Sequence, residues 1–525
     1  MTRHTRDPVY QGGLFGQLIV DAVQRFPDRV AFIDGDRHVT YAELGKRIGQ
    51  AIAQLERIGL QTGDVVAQLS GNRVETFCIM AAAYVRGLCS VTLHPMASAQ
   101  DHMDVLCDCR SKVFIVEASY ALRGEKLRDA CNDVPNWYSH DEGMPAIPCF
   151  WREAEAQAAA PLQVQGDAEG IIRLAYTGGT TGRSKGVMLS SRAMLTNALL
   201  WLTGLPWPDG VRSLCSAPIS HGAGSLIVPT LVRGGTVVLE RGFEKDRWLD
   251  TVSKHRIQFT FLVPTMLYTL LEHPRTKQSD RSSLLALIYG AAPMSPARIG
   301  QALDLFGPVL VQSYGQTEAP NTILLLNQHD HVSADERRLS SAGRPFPGLE
   351  ISLRSETDIA VEAGQIGEIC VRGPLVMSGY YGQEEQTRVA MQHGWLHTGD
   401  LAMCDEAGYF YIVDRKKDMI ISGGFNVYAR EVEDTLMTHP AVEGVAVIGV
   451  PDPKWGEAVK AIVVLRDGSV ASEQSLVDHV RERKGSVCTP KSIEFVSELP
   501  LTGLGKPDKK TLRERYASPV ERAMF

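Results

Sequence analysis

Two rhythms of apolar residues alternate along the first half of this chain. From Tyr41-Ala42-Glu43-Leu44 through Leu55 they recur at helical spacing and predict an amphipathic helix. Val65-Val66-Ala67-Gln68-Leu69 and Val113-Phe114-Ile115-Val116 are short apolar runs and predict buried strands. Such alternation of helix and strand predicts an α/β architecture with largely parallel sheets. It returns at Phe259-Thr260-Phe261-Leu262-Val263-Pro264 and at Leu285-Ala286-Leu287-Ile288-Tyr289-Gly290, each a strand feeding a loop. In open α/β sheets, ligands lie beyond the carboxyl ends of the strands, so those loops are where chemistry is expected. Ala154 to Gln165 is polar and alanine-rich and reads as a surface connection.

After about Gly343 the texture changes. Short apolar runs between glycines, Gly367–Gly373 and Gly408–Asp414, predict a small β-subdomain. From Asp418 on, the pattern predicts helix Ala429–Met437, strands Val442–Val450 and Val459–Leu465, helix Ser472–Lys484 and strand Ser492–Val496. This is an α+β domain of ordinary size. The expected division is 1–416 for a large N-terminal domain of αβα-type subdomains plus the β-subdomain, and 417–525 for a small mobile C-terminal domain.

Length agrees with that division, because 525 residues exceed what one core usually serves. A net charge of −7 gives no support for nonspecific binding to nucleic acid or anionic membrane, so any polyanion must meet a local site. The ten cysteines are scattered. The close pair Cys107-Asp108-Cys109 has no second pair at zinc-site spacing, so the thiols read as reduced and the protein as cytoplasmic. No run is long and apolar enough to span a bilayer, and the N-terminus lacks a signal-peptide apolar core.

The most informative chemistry lies in Tyr176-Thr177-Gly178-Gly179-Thr180-Thr181-Gly182-Arg183-Ser184-Lys185-Gly186. Its glycines let backbone N–H groups approach an anion, its threonines add hydroxyl donors, and Lys185 adds a positive charge. Ser184 precedes the lysine and Gly186 follows it, so the spacing departs from the Walker pattern. Strands are expected on both sides, over Gly170–Tyr176 and Val187–Ser190.

Three further motifs follow. Ser313-Tyr314-Gly315-Gln316-Thr317-Glu318 offers a ring for adenine, a hydroxyl and a carboxylate for Mg²⁺ in one turn. His397-Thr398-Gly399-Asp400 offers a carboxylate for paired ribose hydroxyls. Asp414-Arg415-Lys416-Lys417-Asp418, with Ser422-Gly423-Gly424-Phe425-Asn426, concentrates charge and glycine at the expected domain boundary. Taken singly, Tyr314 also suits a core aromatic, Asp400 a turn former, and the charge run a solvated face.

Jointly and in this order, the motifs resemble the adenylate-forming superfamily of acyl-CoA synthetases, luciferases and nonribosomal adenylation domains. The resemblance runs from Phe26-Pro27-Asp28-Arg29-Val30-Ala31-Phe32 to Pro500-Leu501-Thr502-Gly503-Leu504-Gly505-Lys506. It implies a two-step reaction: a carboxylate attacks the α-phosphate of ATP to give an acyl-adenylate and pyrophosphate, and a nucleophile, commonly the CoA thiol, then displaces AMP. It further implies that Thr177, Gly178, Gly179, Thr180, Thr181 and Lys185 form the β/γ-phosphate loop. Gly290, Ala291, Ala292, Pro293, Tyr314 and Gly315 match the adenine slot. Thr317 would meet the α-phosphate, Glu318 would hold Mg²⁺, and Asp400 and Arg415 would hold the ribose.

The same resemblance makes Lys506 the catalytic lysine and Lys417 the hinge about which the terminal domain turns. That rotation would bring Gly423 and Gly424 to a pantetheine tunnel. His221, in Pro218-Ile219-Ser220-His221-Gly222-Ala223-Gly224, falls where the family gates its acyl pocket, and the neighbouring glycines and alanine leave volume for an aromatic or cyclic acid. Many CoA ligases carry aromatic-Lys-x-Pro where this chain has Val487-Cys488-Thr489-Pro490, which leaves Arg430, Lys454, Lys484 or Lys491 to meet CoA. The implied activity is an AMP-forming acid–CoA ligase using ATP, Mg²⁺ and CoA, with room for a homodimer. An amide-forming or carrier-loading adenylating enzyme is the alternative, and a silent nucleotide-binding regulator a third reading.

Overall fold

The computed structural model describes residues 13–144, 147–177, 184–332, 336–422, 425–501 and 507–516. The fold is α/β, and the chain forms two compact units: Met1–Glu350 with Val371–Leu396, and Ile351–Cys370 with His397–Phe525. The second unit thus takes in residues 351–370 and 397–416, upstream of position 417.

Two sheets dominate the first unit. One has seven strands in the order Gly379–Tyr380, Lys185–Ser190, Ile171–Thr177, Cys89–Thr92, Val65–Leu69, Val113–Val116 and Asn136–Ser139. From Ile171–Thr177 to Asn136–Ser139 the neighbours run parallel, and Lys185–Ser190 and Gly379–Tyr380 close one edge antiparallel. Every residue of Val65–Leu69 and Val113–Val116 is buried, as continuous apolar runs covered on both faces should be. The second sheet has nine strands, with a parallel centre of Leu310–Gln316, Ala286–Gly290, Phe259–Leu262, Arg212–Cys215, Thr236–Leu239 and Val30–Asp34.

Local signals set the helices between them. Thr40 and Glu43 form a capping box at the start of Tyr41–Ile58, satisfying two N–H groups that the first turn leaves open, and Gly59 ends it at φ 94°. Ser98 and Asp101 do the same for Ala99–Asp108. A core of Trp248, Leu262, Leu287, Tyr289 and Leu310 lies on the nine-stranded sheet, and one of Leu69, Val91, Phe114 and Leu174 on the seven-stranded sheet.

The second unit carries most of a five-stranded sheet that includes Glu350–Arg354, Ile366–Arg372, Trp395–Cys404 and Phe410–Arg415, the last two antiparallel. Beyond it, helices Ala429–Met437 and Glu473–Lys484 accompany strands Val442–Asp452, Gly456–Leu465 and Ser492–Phe495 around a core of Val432, Val447, Ala461 and Leu476. The charge run at 414–418 is solvated only in its middle: Arg415, Lys416 and Lys417 are exposed, whereas Asp414 is buried and Asp418 pairs with Arg513 at 2.7 Å. Burial raises the Asp414 carboxyl above its ordinary range. Burial also works against ionised Asp418, but Lys509 and Arg513 outweigh it and hold that carboxyl low.

His140 is expected to make the first unit acid-sensitive. Its ring is buried, Nδ1 accepts the Trp151 indole N–H at 3.1 Å, and burial, reinforced by Arg73, pushes its pKa down to about 4. As pH falls from about 6.5 towards 4, the unfolded chain binds a proton here that the native state refuses, so stability is lost by up to about 1.4 kcal/mol per pH unit. The melting temperature is therefore expected to fall between pH 7 and 5, and less steeply in His140→Gln. Equal slopes in a scanning calorimeter would remove His140 as a contributor.

Candidate functional site

In the first unit, three candidate segments follow the carboxyl ends of parallel strands in one sheet. Pro218–His221 comes after Arg212–Cys215, Gly290–Pro293 ends and follows Ala286–Gly290, and Thr317-Glu318 follows Leu310–Gln316. This is where an open α/β sheet binds its ligand. Gly290 is required by close approach, since a Cβ there would lie 2.5 Å from the Ser313 carbonyl oxygen of the neighbouring strand. Ala291 follows at φ 67°, a left-handed conformation uncommon for a residue with a side chain.

The motif 313–318 is not a single turn. Tyr314 and Gly315 lie within the strand Leu310–Gln316, and Thr317-Glu318 alone make the two-residue reversal into Ala319–Leu326, with Gln316 opposite Ala319. A Cβ at Gly315 would meet the backbone of Asn321 at 2.6 Å. The ring and the carboxylate therefore stand on a rigid hairpin.

Thr177 and Lys185 are cross-strand neighbours, so the two ends of the phosphate-type loop are closed against each other. Gly178, Gly179, Thr180 and Thr181 lie outside the described residues, as do Gly423, Gly424 and Lys506. Lys185 Nζ stands 5.0 Å over the ring of Tyr380, whose hydroxyl donates to Glu318 Oε1 at 2.8 Å. One tyrosine thus touches both the loop lysine and the hairpin carboxylate. Burial, with the Glu318 charge behind it, raises the Tyr380 pKa, so the phenol keeps its proton and its donor role.

His221 precedes a short helical turn, Gly222–Leu226, and its Nδ1 shares a hydrogen bond with Ser220 Oγ at 2.9 Å. Its ring meets that of His94 edge to face, with centroids 4.5 Å apart. Burial, then His94 and Arg173, push the His221 pKa down to about 3, so the imidazole is neutral at working pH. Asn72 fixes this segment. Its amide nitrogen donates to the carbonyls of Cys215, Ala217 and Glu240, while its oxygen accepts the Ile219 N–H at 2.7 Å.

In the second unit, Asp400 and Arg415 face each other on antiparallel strands and pair at 3.0 Å. Asp400 is buried whereas the Arg415 side chain is 49% exposed, so the carboxylate is held in place and the guanidinium can reach outward. Glu368 organises the adjoining residues by accepting the Gly399 N–H at 2.9 Å and meeting His397 Nδ1 at 3.2 Å and Lys416 Nζ at 3.4 Å. Lys417 lies in the next turn, where the Arg415 carbonyl accepts from both Asp418 and Met419. Of the four cations weighed for CoA, Arg430 pairs with Asp434 and Lys484 with Glu431. Lys454 and Lys491 stand 4.7 and 5.3 Å over the exposed Trp455 ring.

Tyr380, Asn72 and Glu368 were not singled out by the sequence. Each is an isolated polar residue whose partners are distant along the chain, so no spacing marks it.

Comparison with known proteins assigns the family. The AMP-binding enzyme family matches residues 19–381, and the AMP-binding enzyme C-terminal domain matches 431–506. The medium/long-chain-fatty-acid–CoA ligase FadD8 of Mycobacterium tuberculosis is 40% identical, over 97% of this chain and 91% of that protein. Feruloyl-CoA synthase of Amycolatopsis sp is 36% identical, over 95% of this chain and 99% of its own. The solved structure of the amide bond synthetase McbA from Marinactinospora thermotolerans superposes with a TM-score of 0.88 at 33% identity, covering 96% of this chain and 100% of that one. The chain belongs to the AMP-binding enzyme family, within the adenylate-forming superfamily of acyl-CoA synthetases.

Asp400→Ala tests the ribose assignment. It is expected to raise the KM for ATP by about 10-fold or more with the fold intact, because a site built around paired hydrogen bonds suffers when one partner goes. Unchanged ATP affinity by calorimetry would remove Asp400 from the site.

Proposed function

We propose that this enzyme activates an aromatic or cyclic carboxylic acid with ATP and transfers the acyl group to CoA, releasing AMP and pyrophosphate. The observation that carries the nucleotide half is the Lys185–Tyr380–Glu318 cluster, a cation and a carboxylate held by one phenol at the closed end of the loop. Lys185 neutralises β/γ-phosphate charge, Thr317 meets the α-phosphate, and Gly290–Pro293 with Tyr314 and Gly315 receives adenine. Asp400 and Arg415 take the ribose hydroxyls.

Glu318 would hold Mg²⁺, and a single carboxylate suits an ion whose remaining ligands are phosphate oxygens and water. When bound, that ion neutralises phosphate charge. Lys506 draws the two anions, substrate carboxylate and α-phosphate, into line. It must then leave for the thiol to enter, and rotation of residues 417–525 about Lys417 accomplishes this. His221 is a neutral wall of the acyl pocket, suited to an uncharged ring. Lys454 and Lys491, beside Trp455, are the cations for CoA.

Among the described residues, no helix is long and apolar enough to cross a membrane, in keeping with a cytoplasmic enzyme acting on small molecules. Two observations favour an amide-forming enzyme as the second reading: the likeness to McbA and the departure at Val487–Pro490. Pyrophosphate release, measured over aromatic, cyclic and aliphatic acids with and without CoA, tests both. Acyl-CoA from aromatic acids is expected. Turnover confined to aliphatic acids would overturn the substrate class, and CoA-independent turnover with an amine would favour the second reading.

A further inference from the structure

Cys107 and Cys131 are in contact, with Sγ to Sγ 2.9 Å. Cys107 is exposed in the last turn of helix Ala99–Asp108, while Cys131 is buried at the end of helix Ala121–Ala130. Neither sulfur enters the chemistry above. We infer that they form a dithiol site which a two-electron oxidant such as a peroxide closes to an intramolecular disulfide, and that closure weakens nucleotide binding at the phosphate loop.

The path between sulfur and loop is short. Asp108, next to Cys107, accepts the Tyr176 hydroxyl at 2.6 Å. Tyr176 immediately precedes Thr177, lies opposite Gly186 in the strand register, and packs its ring where a Gly186 Cβ would come within 3.0 Å. It therefore braces both ends of the loop, with Lys185 next to Gly186. Bond formation draws the sulfurs closer by a fraction of an ångström and shifts Asp108 with Cys107. The Tyr176 bond cannot follow without moving the strand, so the brace loosens.

The two sulfurs have different roles. Burial, and then the hydrogen bond with Cys107, push the Cys131 thiol up to about 12, so Cys131 keeps its proton. Exposed Cys107 is accordingly the sulfur that peroxide reaches. Its thiolate attacks one peroxide oxygen, the O–O bond breaks, hydroxide leaves, and a sulfenic acid forms. Cys131 sulfur then attacks the Cys107 sulfur, the S–O bond breaks, and the departing hydroxide takes the Cys131 proton and leaves as water. Two electrons pass from the thiol pair to the peroxide, and a small thiol reverses the change by exchange.

This inference rests on reading 177–185 as the phosphate loop, and the test separates the two. Protein treated with stoichiometric hydrogen peroxide, alkylated and digested should yield a Cys107–Cys131 cross-linked peptide by mass spectrometry, abolished by dithiothreitol. The KM for ATP in pyrophosphate exchange should rise at least threefold on oxidation, with reversal on reduction. Cys107→Ser, at an exposed position, should keep wild-type melting and show neither change; Cys131→Ser should likewise show no ATP shift. Oxidation of Cys107 to sulfinic acid without a cross-link overturns the inference, as does a cross-linked enzyme whose ATP KM equals that of the reduced form. Failure of the reduced enzyme to release pyrophosphate with any acid would instead sink the functional reading, while the cross-link would still be read by mass.

Discussion

Lys506→Ala is expected to lower ATP–pyrophosphate exchange by about 100-fold or more while sparing thioester formation from a preformed acyl-adenylate. Adenylation forces a carboxylate against a diester-like phosphorus already surrounded by negative oxygens. A cation between them acts mainly as that repulsion peaks, so its loss falls on the rate and not on the affinity for either substrate. Displacement of AMP by a thiol has no such encounter, and a lysine left in place would only obstruct it. Exchange within about threefold of wild type, under 1 kcal/mol, would mean that another residue supplies the charge.

Lys417→Pro should do the opposite. Proline fixes φ near −65° and removes a backbone donor. In the turn at 416–418 the Arg415 carbonyl already accepts from Asp418 and Met419, so these closing bonds do not depend on the Lys417 N–H. The turn should therefore form, locked in the orientation that presents Lys506. Adenylation would survive, acyl transfer would slow by about 10-fold or more, and acyl-adenylate would accumulate on the enzyme. Single-turnover quenching that follows AMP-ester and thioester separately distinguishes the cases. Equal slowing of both steps would indicate misfolding or another pivot, and normal rates in both would mean that no rotation passes through Lys417.

Where sequence and structure agree, the reason is burial on both faces. Val65–Leu69 and Val113–Val116 coincide with their apolar runs because every position along them is covered. Lys185–Ser190 begins two residues before the run at Val187, since Lys185 and Gly186 enter the strand by pairing with Thr177 and Tyr176 and not through hydrophobicity. Helix Ala429–Met437 agrees with its pattern because an amphipathic stripe meets one core.

The sequence marked candidates where neighbours along the chain share one motif, as in Thr177–Lys185 or His397–Asp400. Tyr314 was placed in a turn, yet it lies in a strand of a hairpin in which Gly315 packs against Asn321. The residues that hold the chemistry in place were silent. Tyr380 reaches Glu318 across 62 positions of chain, and Asn72 reaches Ala217 across 145. Such pairs exist only once a sheet has brought its strands together.

The excursion of residues 371–396 into the first unit also constrains how this enzyme can exchange parts with its relatives. Because Tyr380 returns to Glu318 and Lys185 from beyond residue 350, a single crossover in the 351–370 segment would unite a phenol from one parent with a lysine and carboxylate from another. A crossover after Leu396 inherits the three together. Recombination, in a genome or in a library, should therefore leave functional joints downstream of that point or ahead of Lys185, and junctions between Lys185 and Tyr380 should survive only where both parents carry the same trio.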